Sequence, residues 1–267
     1  MDLTELIEPT VTLAVDAGSA ILQVYATEFD VQAKDDQSPL TQADMASHRI
    51  ISSGLAALTP DIPIISEESG LPDFATRREW QRYWLIDPLD GTKEFVNRNG
   101  EFTVNIALID GHRPVLGIVH VPVTGTTYTG CEGAGATRRE SGTGPESIAV
   151  AVESANPVRV VGSRSHRGSS LDAFLEKLGD FEMRPTGSSL KFCLVAEGEA
   201  DVYPRLGPTS EWDTAAAQAV VEQAGGAVLE LDGKPLSYNN KSDILNPYFV
   251  VAGPQDHDWL GIIDRGE

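Results

Sequence analysis

Along the chain, apolar side chains first recur at Leu3, Leu6, Ile7, Val11, Ala14, Val15, Gly18, Ile21 and Leu22. This is the spacing of one helical face, and it predicts an amphipathic helix over about residues 3–26. Val31 to Lys34 reads as a short strand, ended by a turn at Asp35-Asp36-Gln37-Ser38-Pro39. A second helix is expected from about Gln42 to Leu58, with its start near Thr41 and an apolar stripe of Ile50, Ile51, Leu55 and Leu58. Pro60 and Pro63 bracket the entry to a short buried run, Ile64-Ile65, and the polar residues 66–82 read as loop with a helical turn.

Tyr83-Trp84-Leu85-Ile86 predicts a strand that stops at Asp87-Pro88, followed by β-rich segments at 102–109, 113–121 and 126–130. Gly111 falls where a hairpin turn needs it. Residues 132–146, rich in Gly, Thr and Ser, predict an exposed loop and a boundary between an N-terminal α+β half, 1–145, and a C-terminal α/β half, 146–267. In the second half, strands at 158–161, 181–184, 200–204, 226–230 and 248–252 alternate with helices at 169–178, 188–197 and 213–224.

A length of 267 residues allows one large domain or two small ones. No apolar run reaches 18 residues, so no transmembrane helix is expected. The N-terminus places Asp2 and Glu5 where a secretory signal carries Lys or Arg. The cytoplasm is the expected compartment, with peripheral association at the inner membrane left open. Cys131 and Cys193 are too few for a zinc site or a disulfide framework. Charge changes the picture more: 40 acids against 20 bases give a net charge of −20. This disfavours nucleic acid as a partner. The basic deficit falls on Lys, with 14 Arg to 6 Lys. A solvated surface, of the kind a salt-rich cytoplasm favours, accounts for such a balance, and so does an acidic cluster that holds cations.

Position decides between these readings. Asp87-Pro88-Leu89-Asp90-Gly91-Thr92 follows a strand and precedes a helical turn, Lys93 to Asn97. Pro88 and Gly91 force a bend, so two carboxylates three residues apart converge. Their repulsion is costly unless a cation neutralises them, and hard oxygen donors, with the Leu89 carbonyl added, suit Mg²⁺. Gly91 and Thr92 present N–H groups at the following helix start, which favours phosphate. Asp-Pro and Asp-Gly are also ordinary turn pairs. Ser66-Glu67-Glu68 puts acids after a buried strand, and Trp212-Asp213-Thr214-Ala215-Ala216 opens an Ala-rich helix with an acid that a cap alone would explain.

Taken together, and in this order, these segments resemble the signatures of the inositol monophosphatase superfamily, with Ser38-Pro39-Leu40-Thr41-Gln42-Ala43-Asp44 similar to its early Thr-x-x-Asp element. The resemblance covers essentially the whole chain and implies a layered α/β/α/β/α sandwich of the sugar-phosphatase type. Asp90-Gly91-Thr92-Lys93-Glu94-Phe95, Gly187-Ser188-Ser189-Leu190-Lys191-Phe192-Cys193 and Tyr203-Pro204-Arg205 look like its CysQ branch, the 3′(2′),5′-bisphosphate nucleotidases. That branch implies Mg²⁺-dependent removal of the 3′-phosphate of adenosine 3′,5′-bisphosphate, a by-product of sulfate assimilation. Action on the sulfated nucleotide and inhibition by lithium belong to the same expectation.

By this resemblance Glu67, Asp87 and the Leu89 carbonyl hold one Mg²⁺, while Asp87, Asp90 and Asp213 hold a second. Glu67 over Glu68 rests on the family pattern, since the doublet itself is ambiguous. Thr92 and Asp44 then orient and deprotonate the attacking water. Substrate contacts fall to Glu67, Leu89, Asp90, Gly91, Thr92 and Asp213, with Ser188 or Ser189 on phosphate and His166, Lys191 and Arg205 as cationic candidates. His48, His112, His120 and His257 read as structural. Inositol monophosphate or a sugar bisphosphate are alternative substrates for the same chemistry, and a non-catalytic metal- or nucleotide-binding homologue is an alternative of another class. Ser188-Ser189-Leu190-Lys191 also fits Ser-x-x-Lys, but no Lys-Thr-Gly or Lys-Ser-Gly follows, and no Walker A loop is present.

Overall fold

The computed structural model describes residues 2–27, 39–162, 169–254 and 256–263. The strand expected at 31–34 and its turn lie outside them. Two long helices, α1 (Thr4–Tyr25) and α2 (Pro39–Leu58), open the described chain. α2 begins earlier than Gln42: Pro39 stands at its first position, where a missing N–H and a fixed φ cost nothing, so Thr41 lies inside the helix.

β1 (Ile64–Ser66), a 3₁₀ turn over Glu67–Ser69, and α3 (Phe74–Arg77) lead into β2 (Arg82–Asp90). The strand does not stop at Asp87-Pro88, as the sequence suggested. β1 pairs with β2 only as far as Ile86, so Pro88 has no neighbour there to miss its N–H. A bulge between Asp87 and Asp90 absorbs the bend on the β3 side. After α4 (Thr92–Val96) come β3 (Thr103–Asp110), β4 (Arg113–Val121), β5 (Thr126–Cys131), β6 (Gly135–Arg139) and β7 (Glu146–Ser147). The expected loop at 132–146 thus contains two strands. A tight turn from Cys131 to Gly135 folds the polar β6 back on β5, and backbone pairing alone extends the sheet edge.

β1 to β7 form one seven-stranded sheet in sequence order. The remaining elements are β8 (Val158–Gly162), α5 (Ser169–Leu178), β9 (Phe181–Pro185), α6 (Leu190–Ala196), β10 (Val202–Arg205), α7 (Glu211–Gln223), β11 (Ala227–Glu230), β12 (Phe249–Ala252) and α8 (Trp259–Ile262). Their strands form a second sheet in the order β11-β12-β10-β8-β9.

Period-two alternation explains the layering. On β2, Trp84 and Ile86 face α1 and α2, joining Ala14, Ile21, Ile51 and Leu55 in one core. Tyr83 and Leu85 face the other way, toward α6, α7 and one face of the second sheet. Val160, Val202 and Val250 on the far face of that sheet meet Phe174 and Trp259 of α5 and α8. The result is the expected α/β/α/β/α sandwich, and each fully buried aliphatic contributes roughly 1.5–3 kcal/mol. α7 sits deep on the first sheet because Gly117 and Gly130 lie beneath it. A Cβ at either would run into main-chain atoms of Ala216 or Ala219. No described helix is long and apolar enough to cross a membrane.

Candidate active site

β2 delivers the centre of the acid cluster. The Leu89 N–H donates to Asp87 Oδ1 at 3.0 Å, curling the strand end back on its own carboxylate. The Leu89 side chain is buried in the α1–α2 core, so only its main chain can serve a ligand. Ser47 of α2 donates to the Pro88 carbonyl at 2.7 Å, tying to this bend the helix that carries Asp44. Gly91 has φ +95°, and a Cβ there would lie 3.2 Å from the Glu101 carbonyl oxygen and from Ser188 Cβ. Only glycine fits both demands. Thr92 follows it as the first residue of α4 and is exposed; Gly91 is the N-cap.

Asp90 is held from a second segment. The Ser189 N–H donates to Asp90 Oδ2 at 2.6 Å, and Asn105 Nδ2 lies 3.5 Å from the same oxygen. Ser189 Oγ donates to Asn105 Oδ1 at 2.8 Å and lies 2.8 Å from Thr103 Oγ1. Ser189 is therefore engaged in positioning Asp90, and it lines the cleft together with Ser188, which sits at φ +43°.

Asp213 is the third residue of α7. It accepts the Ser210 N–H at 2.9 Å in a capping box, so the structural role and a place in the acid cluster coincide. Glu67 starts the 3₁₀ turn after β1, where Ser66 Oγ, itself 2.9 Å from His48 Nδ1, acts as cap. The doublet divides here: Glu67, Asp87 and Asp213 bring carboxylate oxygens within 4.8 Å of one another.

Buttressing comes from the 237–246 segment. The fully buried Arg77 donates to Lys241 O at 2.9 Å, Ser242 O at 2.7 Å and Asn239 Oδ1. The Asn239 N–H in turn donates to both oxygens of Glu211, at 3.1 and 3.0 Å, two residues before Asp213.

The cluster is electrostatically loaded. Burial pushes Asp87 well above the carboxylate range, and Asp90, Glu67, Asp213 and Asp44, all acids, add to it. Burial also raises Glu67 and Asp90, and lifts Asp213 to about 7 with Asp90 as the next cause. Asp44 is pushed up to about 8, first by burial and then by Glu68 and Glu67. Such a set of oxygen donors, with Asp87 buried, Asp90 and Asp213 half-buried and Glu67 exposed at the rim, crowds like charges together and fits a hard divalent cation.

From Asp90 and Asp213 a cleft runs to Lys191 and Arg205, passing Gly91, Ser188 and Tyr203. The Lys191 ammonium donates to the Ser188 carbonyl at 2.5 Å and lies over the Tyr203 ring at 5.6 Å. Burial lowers it to about 8, with Asp90 acting in the opposite sense. Arg205 Nη2 donates to Pro208 O at 2.7 Å, and its Nε is buried without a partner. His166 lies outside the described residues. His112 and His120 are engaged by Tyr238 O and Thr127 Oγ1, and His257 stacks on Trp259. Asn105 was missed from sequence, although a lone amide inside Thr103-Val104-Asn105-Ile106-Ala107-Leu108 is the kind of buried polar group that demands partners.

Comparison with known proteins agrees with this geometry. The model of the inositol monophosphatase family matches residues 2–260. The chain is 51% identical over 249 residues to 3′(2′),5′-bisphosphate nucleotidase CysQ of Escherichia coli O157:H7, covering 92% of this chain and 99% of that protein. It is 35% identical to the protein of the same name from Haemophilus influenzae, covering 96% of each. The crystal structure of CysQ from Bacteroides thetaiotaomicron superposes with a TM-score of 0.85 at 40% identity, covering 93% of this chain and 97% of that one. The chain belongs to the inositol monophosphatase family.

Proposed function

We propose that the protein is a Mg²⁺-dependent phosphomonoesterase that hydrolyses the 3′-phosphate of adenosine 3′,5′-bisphosphate to AMP and phosphate, a 3′(2′),5′-bisphosphate nucleotidase. The observation that carries this reading is the lining of the cleft. It joins an acid cluster at Asp90 and Asp213 to two cations, Lys191 and Arg205, one of which has a buried donor without a partner. A substrate with two phosphates engages both the acids, through metal, and the cations; a monophosphate leaves the cations unused.

Glu67, Asp87, the Leu89 carbonyl, Asp90 and Asp213 would hold two or more Mg²⁺. When bound, Mg²⁺ neutralises charge that develops on the phosphoryl oxygens and makes a water more acidic. Asp44 takes the proton of the attacking water at its carboxylate, and the Thr92 hydroxyl orients that water, since a hydroxyl both donates and accepts. Gly91 lets the main chain approach the phosphate. Lys191, Arg205 and Ser188 orient the distal phosphate. On this reading residues 1–145 supply most of the acids, and residues 146–267 supply Asp213 and the cations.

Phosphate release with Mg²⁺ from adenosine 3′,5′-bisphosphate, inositol 1-phosphate and fructose 1,6-bisphosphate tests the reading. We expect the nucleotide to be preferred and Asp90→Asn to lower its turnover by at least about 100-fold. Preference for inositol or sugar phosphate overturns the substrate class while keeping the metal site. No release from any of the three supports a binding protein instead.

A further inference from the structure

One side chain in the cleft is unused by the chemistry above. Glu94 is the third residue of α4, one turn beyond Asp90, and it lines the cleft beside Asp90 and Lys191. Its stem is fixed by packing: it covers Gly187, where a Cβ would collide with Glu94 Cγ. Gly187 is itself anchored, its N–H donating to Glu101 Oε2 at 2.8 Å. The Glu94 charge is close enough to act on both Asp90 and Lys191. Yet among the described residues no hydrogen bond or ion pair engages its carboxylate.

A half-buried carboxylate facing a cleft without a donor of its own is an acceptor left for a ligand's donor. A carboxylate there also repels the phosphates that the rest of the cleft attracts, so its place is explained by something other than phosphate binding. It lines the cleft with Asp90, at the reacting end of the substrate, as well as with Lys191, so a donor next to the scissile ester falls to it. The donor that a ribonucleotide offers next to its 3′-ester is the 2′-hydroxyl.

We propose that Glu94 is a specificity-determining residue that accepts a hydrogen bond from the hydroxyl vicinal to the scissile phosphate ester, selecting ribonucleotides over 2′-deoxyribonucleotides. This rests on the nucleotidase reading. The same carboxylate rejects a substrate that carries a second phosphate on the vicinal oxygen, because two anions would then share one partly desolvated space.

The test compares adenosine 3′,5′-bisphosphate with 2′-deoxyadenosine 3′,5′-bisphosphate in the wild type, Glu94→Gln and Glu94→Ala, each with saturating Mg²⁺. The wild type is expected to favour the ribonucleotide by about tenfold or more in kcat/KM. In Glu94→Ala that ratio falls toward one, with the loss carried by the ribonucleotide. Glu94→Gln, whose amide oxygen still accepts, keeps part of the preference. A residue that only packs on Gly187 would lower both substrates together and leave the ratio intact, which overturns the proposal, as does equal use of the two by the wild type. Turnover of inositol 1-phosphate with neither nucleotide accepted overturns the nucleotidase reading itself.

Discussion

Asp44 offers a sharp test of the electrostatics. Burial, with Glu68 and Glu67 as neighbours, pushes its carboxyl up to about 8 from an ordinary value of 3.8. The folded state therefore holds the proton more tightly than the unfolded chain. A carboxylate raised in this way costs nothing below about pH 4 and costs progressively more as pH rises toward 8, where the penalty levels off. At pH 7 the linkage amounts to ~4 kcal/mol, at ~1.4 kcal/mol for each pH unit above the unfolded value. Asp44→Asn removes the titration and keeps the shape. In chelator at pH 7 it should stabilise the protein by up to ~4 kcal/mol, a rise in Tm on the order of 10 °C for a chain of this size. The assay is thermal unfolding followed by circular dichroism from pH 4.5 to 8, wild type beside variant. The gain should shrink toward pH 4.5, and saturating Mg²⁺ should narrow it at pH 8 by neutralising Glu67. Phosphate release should be lost in the same variant, so stability rises as activity falls. No gain at pH 7, or a gain that widens on acidification, would refute the reasoning.

Three further outcomes are expected. Gly91→Ala forces a Cβ onto a left-handed backbone 3.2 Å from the Glu101 carbonyl oxygen, and should cost about 1–3 kcal/mol in denaturant unfolding together with most of the turnover. Arg77→Ala leaves the acceptors at Asn239, Lys241 and Ser242 without their donor, and should cost about 1–3 kcal/mol; no measurable loss would show that this segment is not anchored there. Because the chain carries a net charge of −20, kcat/KM for an anionic nucleotide should rise as KCl is raised to about 0.15 M, and a steady fall would contradict like-charge screening.

The sequence made some of this legible and hid the rest for physical reasons. α1 and α2 follow from a three-to-four apolar period, because each buries a single face. The end of β2 is hidden because Pro88 normally breaks a strand, and whether a neighbour needs its N–H depends on how far β1 extends. β6 has the look of a loop because its residues are polar, and backbone pairing at a sheet edge needs no apolar pattern. The second sheet's order, β11-β12-β10-β8-β9, rests on pairings between distant segments that no local pattern encodes. In the site, spacing alone could bring Asp87 and Asp90 together, whereas Glu67 and Asp213 join them only through β1 and α7. Glu94 gave no signal apart from its place in the Asp90-Gly91-Thr92-Lys93-Glu94-Phe95 run, since an acid in a first helical turn is usually solvated.

The glycines beneath α7 set a dimension. Asp87 and Asp90 ride on the sheet, Asp213 rides on the helix above it, and the gap between them copies the helix-to-sheet spacing. That spacing is held down by the atoms Gly117 and Gly130 lack. A methyl group at either position would work as a shim, lifting the helix and spreading the acids although it touches no part of the cleft. Hydrolytic rate then becomes a ruler for the interior: errors in core packing would be read out as lost turnover as well as lost stability.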